Sequence, residues 1–147
     1  MPLSRRWADD EGSASLEFLT VGLVMLVPLV YLVLAVATIQ AGAFAAEAAA
    51  RHAARVYVQA PDAGSAAASA QRALDFALAD HGIDGGADLR VACSATPCLT
   101  RRAFVTVSVD LDVPLPLAPT ALTGDFPLAV HLHASATEQV SRFWSPR

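Results

Sequence analysis

The longest apolar stretch of the chain lies close to its N-terminus. Residues 18–46 contain no charged side chain, and the most strongly apolar part covers residues 18–39. A helix of that length spans roughly 33 Å, which matches the bilayer hydrocarbon core of about 30 Å. The pattern therefore predicts one transmembrane span over 18–39. A cleaved secretory signal peptide is the alternative, but its apolar region is normally only about 7 to 15 residues long.

Good helix-forming residues continue this helix to about Gln59, and Pro61 ends it. Small residues recur at every fourth position beyond the span, so other helices can approach this face closely. The face comprises Gly42, Ala46, Ala50 and Ala54, beside a second row of Ala41, Ala45, Ala49 and Ala53. Alanine as a plain helix former explains the same rows without a packing role, so both interpretations stay open.

A second, amphipathic helix is predicted from Ser65 to His81. Ser65 is a suitable N-cap residue and Gly82 a suitable residue to end the helix. One face of this helix is apolar and the opposite face is polar, as expected for a helix that packs on a core. The apolar positions are Ala70, Ala73, Leu74, Ala77 and Leu78, and the polar ones are Arg72, Asp75 and Asp80.

The C-terminal part of the chain changes from a helical period to strict alternation, which is typical of half-buried strands. Strands are predicted over 103–113 and 128–134, with a shorter one from Asp88 to Cys93, and the proline-rich segment 114–127 is predicted to be a loop. In the longest strand Val105, Val107, Val109 and Leu111 face inward, and Thr106, Ser108, Asp110 and Asp112 face outward. In the next strand Val130 and Leu132 face inward, and His131 and His133 outward.

These elements predict a membrane-anchored α+β, pilin-like fold. Residues 1–12 form a leader or cytoplasmic segment, and residues 13–59 form a long helix that includes the transmembrane span and continues outward. Residues 60–147 form an extracytoplasmic head, in which the amphipathic helix packs on an antiparallel sheet of about three strands.

Composition supports the membrane interpretation and excludes one class of partner. The 147 residues are 54% hydrophobic and only 16% charged, whereas globular domains usually carry about 25% charged residues. Disordered chains have a low content of hydrophobic residues, so this composition argues against disorder. All ten basic residues are arginines and the net charge is −4. Because no basic stripe can be assembled, nucleic acid is not an expected partner.

The two cysteines indicate the orientation of the span. Two arginines lie close to each end of it, so the distribution of positive charge favours neither orientation. Cys93 and Cys98 suit a small disulfide loop in an oxidising compartment, which places the head outside the membrane and the N-terminus in the cytoplasm. A pair of free thiols is the alternative, whereas a zinc site would need further ligands at suitable spacing.

The strongest candidates for chemistry are His131 and His133, together with Asp110 and Asp112. A register that places Asp110 opposite His131 would keep both apolar strand faces inward. The two histidines are weak candidates for metal ligands, and a solvated sheet face with cross-strand ion pairs is the preferred interpretation. Since no catalytic triad, phosphate loop or nucleotide fingerprint is present, we expect neither enzymatic activity nor a cofactor.

Glu17 stands directly before the apolar span, and the next charged residue is Glu47. Intramembrane carboxylates are costly and usually have a partner. The segment from Gly12 to Glu17, GSASLE, resembles the cleavage signature of type IV prepilins. Cleavage after Gly12 would create an α-ammonium group on Ser13, and Glu17 lies one helical turn from it, where the two charges can neutralise each other.

The first sixty residues or so resemble the TadE family of minor pilins, or pseudopilins, of tight-adherence (Flp) pilus systems. The resemblance is based on Ala14, Ser15, Leu16, Glu17, Phe18 and Pro28, then on Ala50, Arg51, Ala53, Ala54 and Arg55. It implies processing by a membrane prepilin peptidase and a role in assembly of a surface fibre. It also implies contacts with the bilayer, with other pilin subunits and with the assembly machinery. A permanently anchored, exported binding or metal-dependent domain, never processed as a pilin, is the alternative.

Overall fold

A computed structural model describes residues 13–83, 86–116 and 128–145. Two helices, α1 (Ser13–Gln59) and α2 (Ala63–Asp80), precede three strands, β1 (Ala87–Cys93), β2 (Phe104–Pro114) and β3 (Ala129–Gln139). The strands form one antiparallel sheet in the order β1-β2-β3. This arrangement confirms the predicted α+β class, with a long apolar first helix and a small sheet. The predicted leader and most of the predicted loop over 114–127 lie outside the described residues.

The chain divides into two compact units, and the boundary falls between Val36 and Ala37 within α1. The described part of the first unit is helical and strongly apolar, with its large aliphatic side chains exposed from Leu16 to Val36. By length and composition, α1 is the one helix of the described residues that could cross a membrane. Pro28 lies inside it, as transmembrane helices tolerate.

The second unit is built on one apolar face of the sheet. Val105, Val107, Val109 and Leu111 of β2 are fully buried, which confirms the predicted alternation. They form two core clusters with the later part of α1 and with α2. From α2 these clusters contain Ala66, Ala70, Ala73, Leu74 and Leu78, and Ala77 packs against one of them.

The start of α2 differs from the prediction. The N-cap is Asp62 rather than Ser65, and the helix begins at Ala63. One carboxylate oxygen of Asp62 accepts hydrogen bonds from the backbone N–H groups of Gly64 and Ser65, both at 2.9 Å. Hydrogen bonds from Ser65 and Gly64 also lower the pKa of Asp62. Gly82 follows the helix with φ of 67°, the left-handed conformation expected of a terminating glycine.

Strand β3 is longer than predicted, since it continues to Gln139. The alternation extends through Ala134, which is buried, and Ala136, which packs against the core. These side chains are small, and the polar residues around them hide the period in the sequence. The eleven residues of β3 pair with the whole of β2, from Pro114 opposite Ala129 to Phe104 opposite Gln139.

Candidate functional site

The N-terminal candidate residues lie at the start of α1. Gly12 is outside the described residues, and α1 is described from Ser13 onward. Helical geometry places Glu17 one turn after Ser13. Glu17 is exposed, and it forms no ion pair with any other described residue. The carboxylate is therefore available at the end of an exposed apolar helix.

The small-residue face of α1 is buried inside the second unit. Ala46, Ala50 and Ala54 are 0–1% exposed and belong to the core clusters with α2 and the sheet. A Cβ atom on Gly42 would lie 2.5 Å from Cγ2 of Val113. The face whose small residues would allow close approach is thus packed against the sheet and second helix of the same chain.

The predicted disulfide is present between Cys93 and Cys98, with an S–S distance of 2.02 Å. It closes a short loop directly after β1. Both cysteines pack against the core cluster that contains Leu99 and Val140. The loop is therefore attached to the core at the end of the sheet where β2 begins.

The predicted histidines and aspartates do come together on the open face of the sheet. Nδ1 of His133 lies 2.8 Å from Oδ1 of Asp110, and Nδ1 of His131 lies 2.8 Å from Oδ1 of Asp112. Nε2 of His131 is also 3.5 Å from Oδ1 of Asp110. The predicted register is wrong by two residues, because Asp110 lies opposite His133 and Asp112 opposite His131. Complete pairing of the two long strands sets this register.

Arg90 of β1 completes the cluster. Its Nη1 atom lies 3.3 Å from Oδ2 of Asp110, whose side chain is only 11% exposed. Sequence reasoning missed this residue. Alternation with Leu89 and Val91 places Arg90 on the polar face of β1, but only the pairing of β1 with β2 brings it beside Asp110.

The charges of the cluster shift two pKa values in opposite directions. The hydrogen bond from His133 and the positive charges of Arg90 and the histidines lower the pKa of Asp110, against the opposing effect of burial. The hydrogen bond to Asp112, with the nearby charge of Asp110, raises the pKa of His131. The cluster therefore favours the charged form of Asp110 together with a protonated His131.

This geometry is that of an ion-pair network. The Nδ1 atoms of both histidines face carboxylates instead of converging on a common point. Among the described residues, no group of three or more His, Cys, Asp or Glu side chains is arranged to hold a metal ion. The cluster thus joins the three strands across their open face.

A second set of contacts that the sequence did not indicate fixes the C-terminal segment. The indole N–H of Trp144 donates a hydrogen bond of 2.9 Å to the carbonyl of Ala60, just beyond α1. The Nε–H of Arg101 donates a hydrogen bond of 2.8 Å to the carbonyl of Trp144. A tryptophan near the end of a chain has no periodic neighbours, so its sequence position did not reveal this contact.

Comparison with known proteins gives no match to a family model, a curated protein or a solved structure.

Proposed function

We propose that this protein is a single-pass membrane protein of the minor pilin type, which takes part in assembly of a tight-adherence pilus. The first part of α1 crosses the membrane, and the N-terminus is cytoplasmic. Residues 60–147 form the extracytoplasmic head, and the part of α1 beyond the span 18–39 continues into it. A prepilin peptidase cleaves after Gly12, and the new amine on Ser13 pairs with Glu17 of the same or a neighbouring subunit.

One observation chiefly supports this proposal: a single helix runs from Ser13 to Gln59 without interruption. Its first turns carry the isolated Glu17, and its large aliphatic side chains from Leu16 to Val36 are exposed. An exposed apolar helix of this length needs either a membrane or a bundle of similar helices around it. The helix of a pilin lies first in the membrane and then in the helix bundle of the fibre.

The disulfide between Cys93 and Cys98 supports the orientation of the head. Disulfides persist in oxidising compartments and are rare in the cytosol. The head therefore suits the outer side of the membrane. We assign to it a role in interaction with other subunits rather than in catalysis.

The role of Glu17 is tested by Glu17→Ala, with Glu47→Ala as the matched control. Glu47 is a carboxylate of the same helix, but it pairs at 3.0 Å with Arg51 on the exposed surface. We expect Glu17→Ala to reduce surface fibres at least about tenfold, because an ion pair in a low-dielectric environment exceeds the value of about 1 kcal/mol for an exposed one. Electron microscopy counts the fibres, and membrane fractionation verifies that the variant still inserts.

Normal fibre numbers in Glu17→Ala, with the variant inserted as well as the wild type, would contradict the assigned role. Equal losses in Glu17→Ala and Glu47→Ala would also contradict it, because the effect would then not depend on the position of the carboxylate.

A further inference from the structure

The second unit begins with the last residues of the proposed span. Its first residue is Ala37, and the span covers 18–39. The segment without charged side chains continues beyond the span, to Ala46. As a helix, residues 18–46 measure roughly 43 Å, which matches the thickness of about 40–45 Å of a bilayer with both headgroup layers. This length places residues 40–46 of α1 in the outer headgroup layer.

The same residues of α1 are packed into the core of the head. Ala45 and Ala46 are 0–1% exposed and share a core cluster with α2 and the sheet. Gly42 lies against the end of β2, because a Cβ atom there would lie 2.5 Å from Cγ2 of Val113. The core of the head therefore begins within the headgroup layer and not beyond a linker.

One end of the sheet reaches the level of the span. Strand β2 runs antiparallel to α1, since its first residues share a cluster with the end of α1 and its last residues with the buried alanines of 45–50. Just beyond Pro114, the N–H of Leu115 donates to the carbonyl of Leu128 at 2.9 Å. At about 3.3 Å per strand residue and 1.5 Å per helix residue, this pair lies roughly level with the last residues of the span. Accordingly, Pro114 and Thr38 line one cavity.

Two large apolar side chains are exposed at this end of the head, which we call the span end. Phe44 is 66% exposed and Leu128 is 49% exposed. A helical side chain covers the turn that precedes its own Cα atom, so Phe44 extends back toward the span. Aromatic and aliphatic side chains favour the boundary between headgroups and acyl chains. The polar headgroup layer also suits the exposed His81 and Asp112 of the span end.

We propose that the span end of the head is docked on the bilayer surface, with Phe44 and Leu128 in contact with phospholipid. The bilayer is then a partner of the sheet as well as of α1. This inference rests on the single-pass anchoring of the proposed function, but not on cleavage after Gly12. A second copy of the chain on the span end is the other outcome of the test.

The test uses the full chain reconstituted in phosphatidylcholine vesicles. In each variant p-benzoylphenylalanine, a photoreactive analogue of phenylalanine that inserts into nearby C–H bonds, replaces one residue. Phe44 and Leu128 are the test positions. Phe104 and Phe143 are the matched controls, because both are exposed and lie beside the start of β2. The eleven residues of β2 separate them from the span end by roughly 33 Å.

Mass spectrometry measures the fraction of protein that carries a lipid adduct after irradiation. We expect this fraction to be at least about tenfold higher at Phe44 and Leu128 than at Phe104 and Phe143, because the headgroup layer is only about 5–8 Å deep. Circular dichroism verifies that each variant is folded. Leu128 is the decisive position, since it belongs to the sheet and not to α1.

Three results would overturn the proposal. The first is an adduct at Phe44 without one at Leu128, because α1 would then be anchored while the sheet stays away from the lipid. The second is an equal yield at the two ends of the sheet. The third is crosslinking of Leu128 to a second copy of the chain in place of lipid, because protein would then cover the span end.

A further variant separates this inference from the proposed function. Leu26 is exposed within the span, and p-benzoylphenylalanine at this position reports anchoring alone. Adducts at Leu26 without adducts at Leu128 would overturn only the docking of the head. Absence of adducts at Leu26 would contradict the anchoring and therefore both proposals. Adducts at Leu26 and Leu128, in a protein that retains Met1 in its native membranes, would contradict the pilin-type function and support the docking.

Discussion

His131 shows how single residues determine the charge of the open sheet face. It lies between the carboxylates of Asp112 and Asp110, at 2.8 and 3.5 Å. Asp88 and Arg90 of β1 and His133 of β3 share this face. Because the bond to Asp112 raises the pKa of His131, folding favours its protonated form.

The raised pKa predicts a pH dependence of stability. The ordinary pKa of the histidine is 6.5, so its contribution is complete below about pH 6.5 and disappears as the pH rises through the higher pKa of the folded state. We expect His131→Gln to lower the melting temperature of the head most below about pH 6.5, and progressively less toward about pH 9. Circular dichroism at a series of pH values measures this difference.

His52→Gln is the control, since His52 is exposed on α1 and forms no ion pair with a described carboxylate. The melting temperature of His52→Gln should not show this dependence on pH. A destabilisation by His131→Gln that is constant with pH, or that grows as the pH rises, would contradict the raised pKa of His131. The pKa of Asp110 is lowered, so its own contribution is lost only as the pH falls below its ordinary value of 3.8.

At the scale of elements, α1 contributes both an exposed apolar helix and one side of the head core. Gly42 lies where the second role begins, because a Cβ atom there would lie 2.5 Å from Cγ2 of Val113 and 3.0 Å from Cδ1 of Leu132. Val113 is 3% exposed and β-branched, so it has little freedom to move. The absence of a side chain at Gly42 therefore allows α1 to approach the sheet.

This close approach predicts that Gly42→Ala destabilises the head, although alanine normally stabilises a helix by about 1 kcal/mol relative to glycine. Overpacking of a core costs about 1–3 kcal/mol, which exceeds that gain. The free energy of unfolding of the head in detergent measures the balance. Gly22→Ala is the matched control, because a Cβ atom on Gly22 meets nothing within 4 Å. An equal or higher stability of Gly42→Ala would contradict the proposed packing.

Sequence periodicity predicted the elements whose patterns are strong and left out those that depend on pairing. The end of α1 near Gln59 and the inward face of β2 were correct, since both follow from local residue types. The predicted register between β2 and β3 was wrong by two residues, and the place of Arg90 was not predicted. Both depend on contacts between strands far apart in the chain, for which alternation allows several shifts by two residues.

At the scale of the whole molecule, the chain combines an exposed apolar helix with a head that is held together by an apolar core, a disulfide and an ion-pair network. The same helix enters both units. This continuity supports the proposed pilin-type function, because movement of the apolar segment from a membrane into a fibre would carry the head with it. The sequence alone suggests this role through the segment from Gly12 to Phe18, through Pro28 and through the alanines and arginines from Ala50 to Arg55.

The most direct test of this account is the mass of the N-terminal peptide of the protein isolated from its native membranes. We predict a mature chain that begins at Ser13, produced by cleavage after Gly12. The control is Gly12→Leu, which should abolish processing because cleavage requires a residue that permits close backbone access. A wild-type protein that retains its N-terminus at Met1 or Pro2 would contradict the proposed pilin-type function and would indicate a permanently anchored domain.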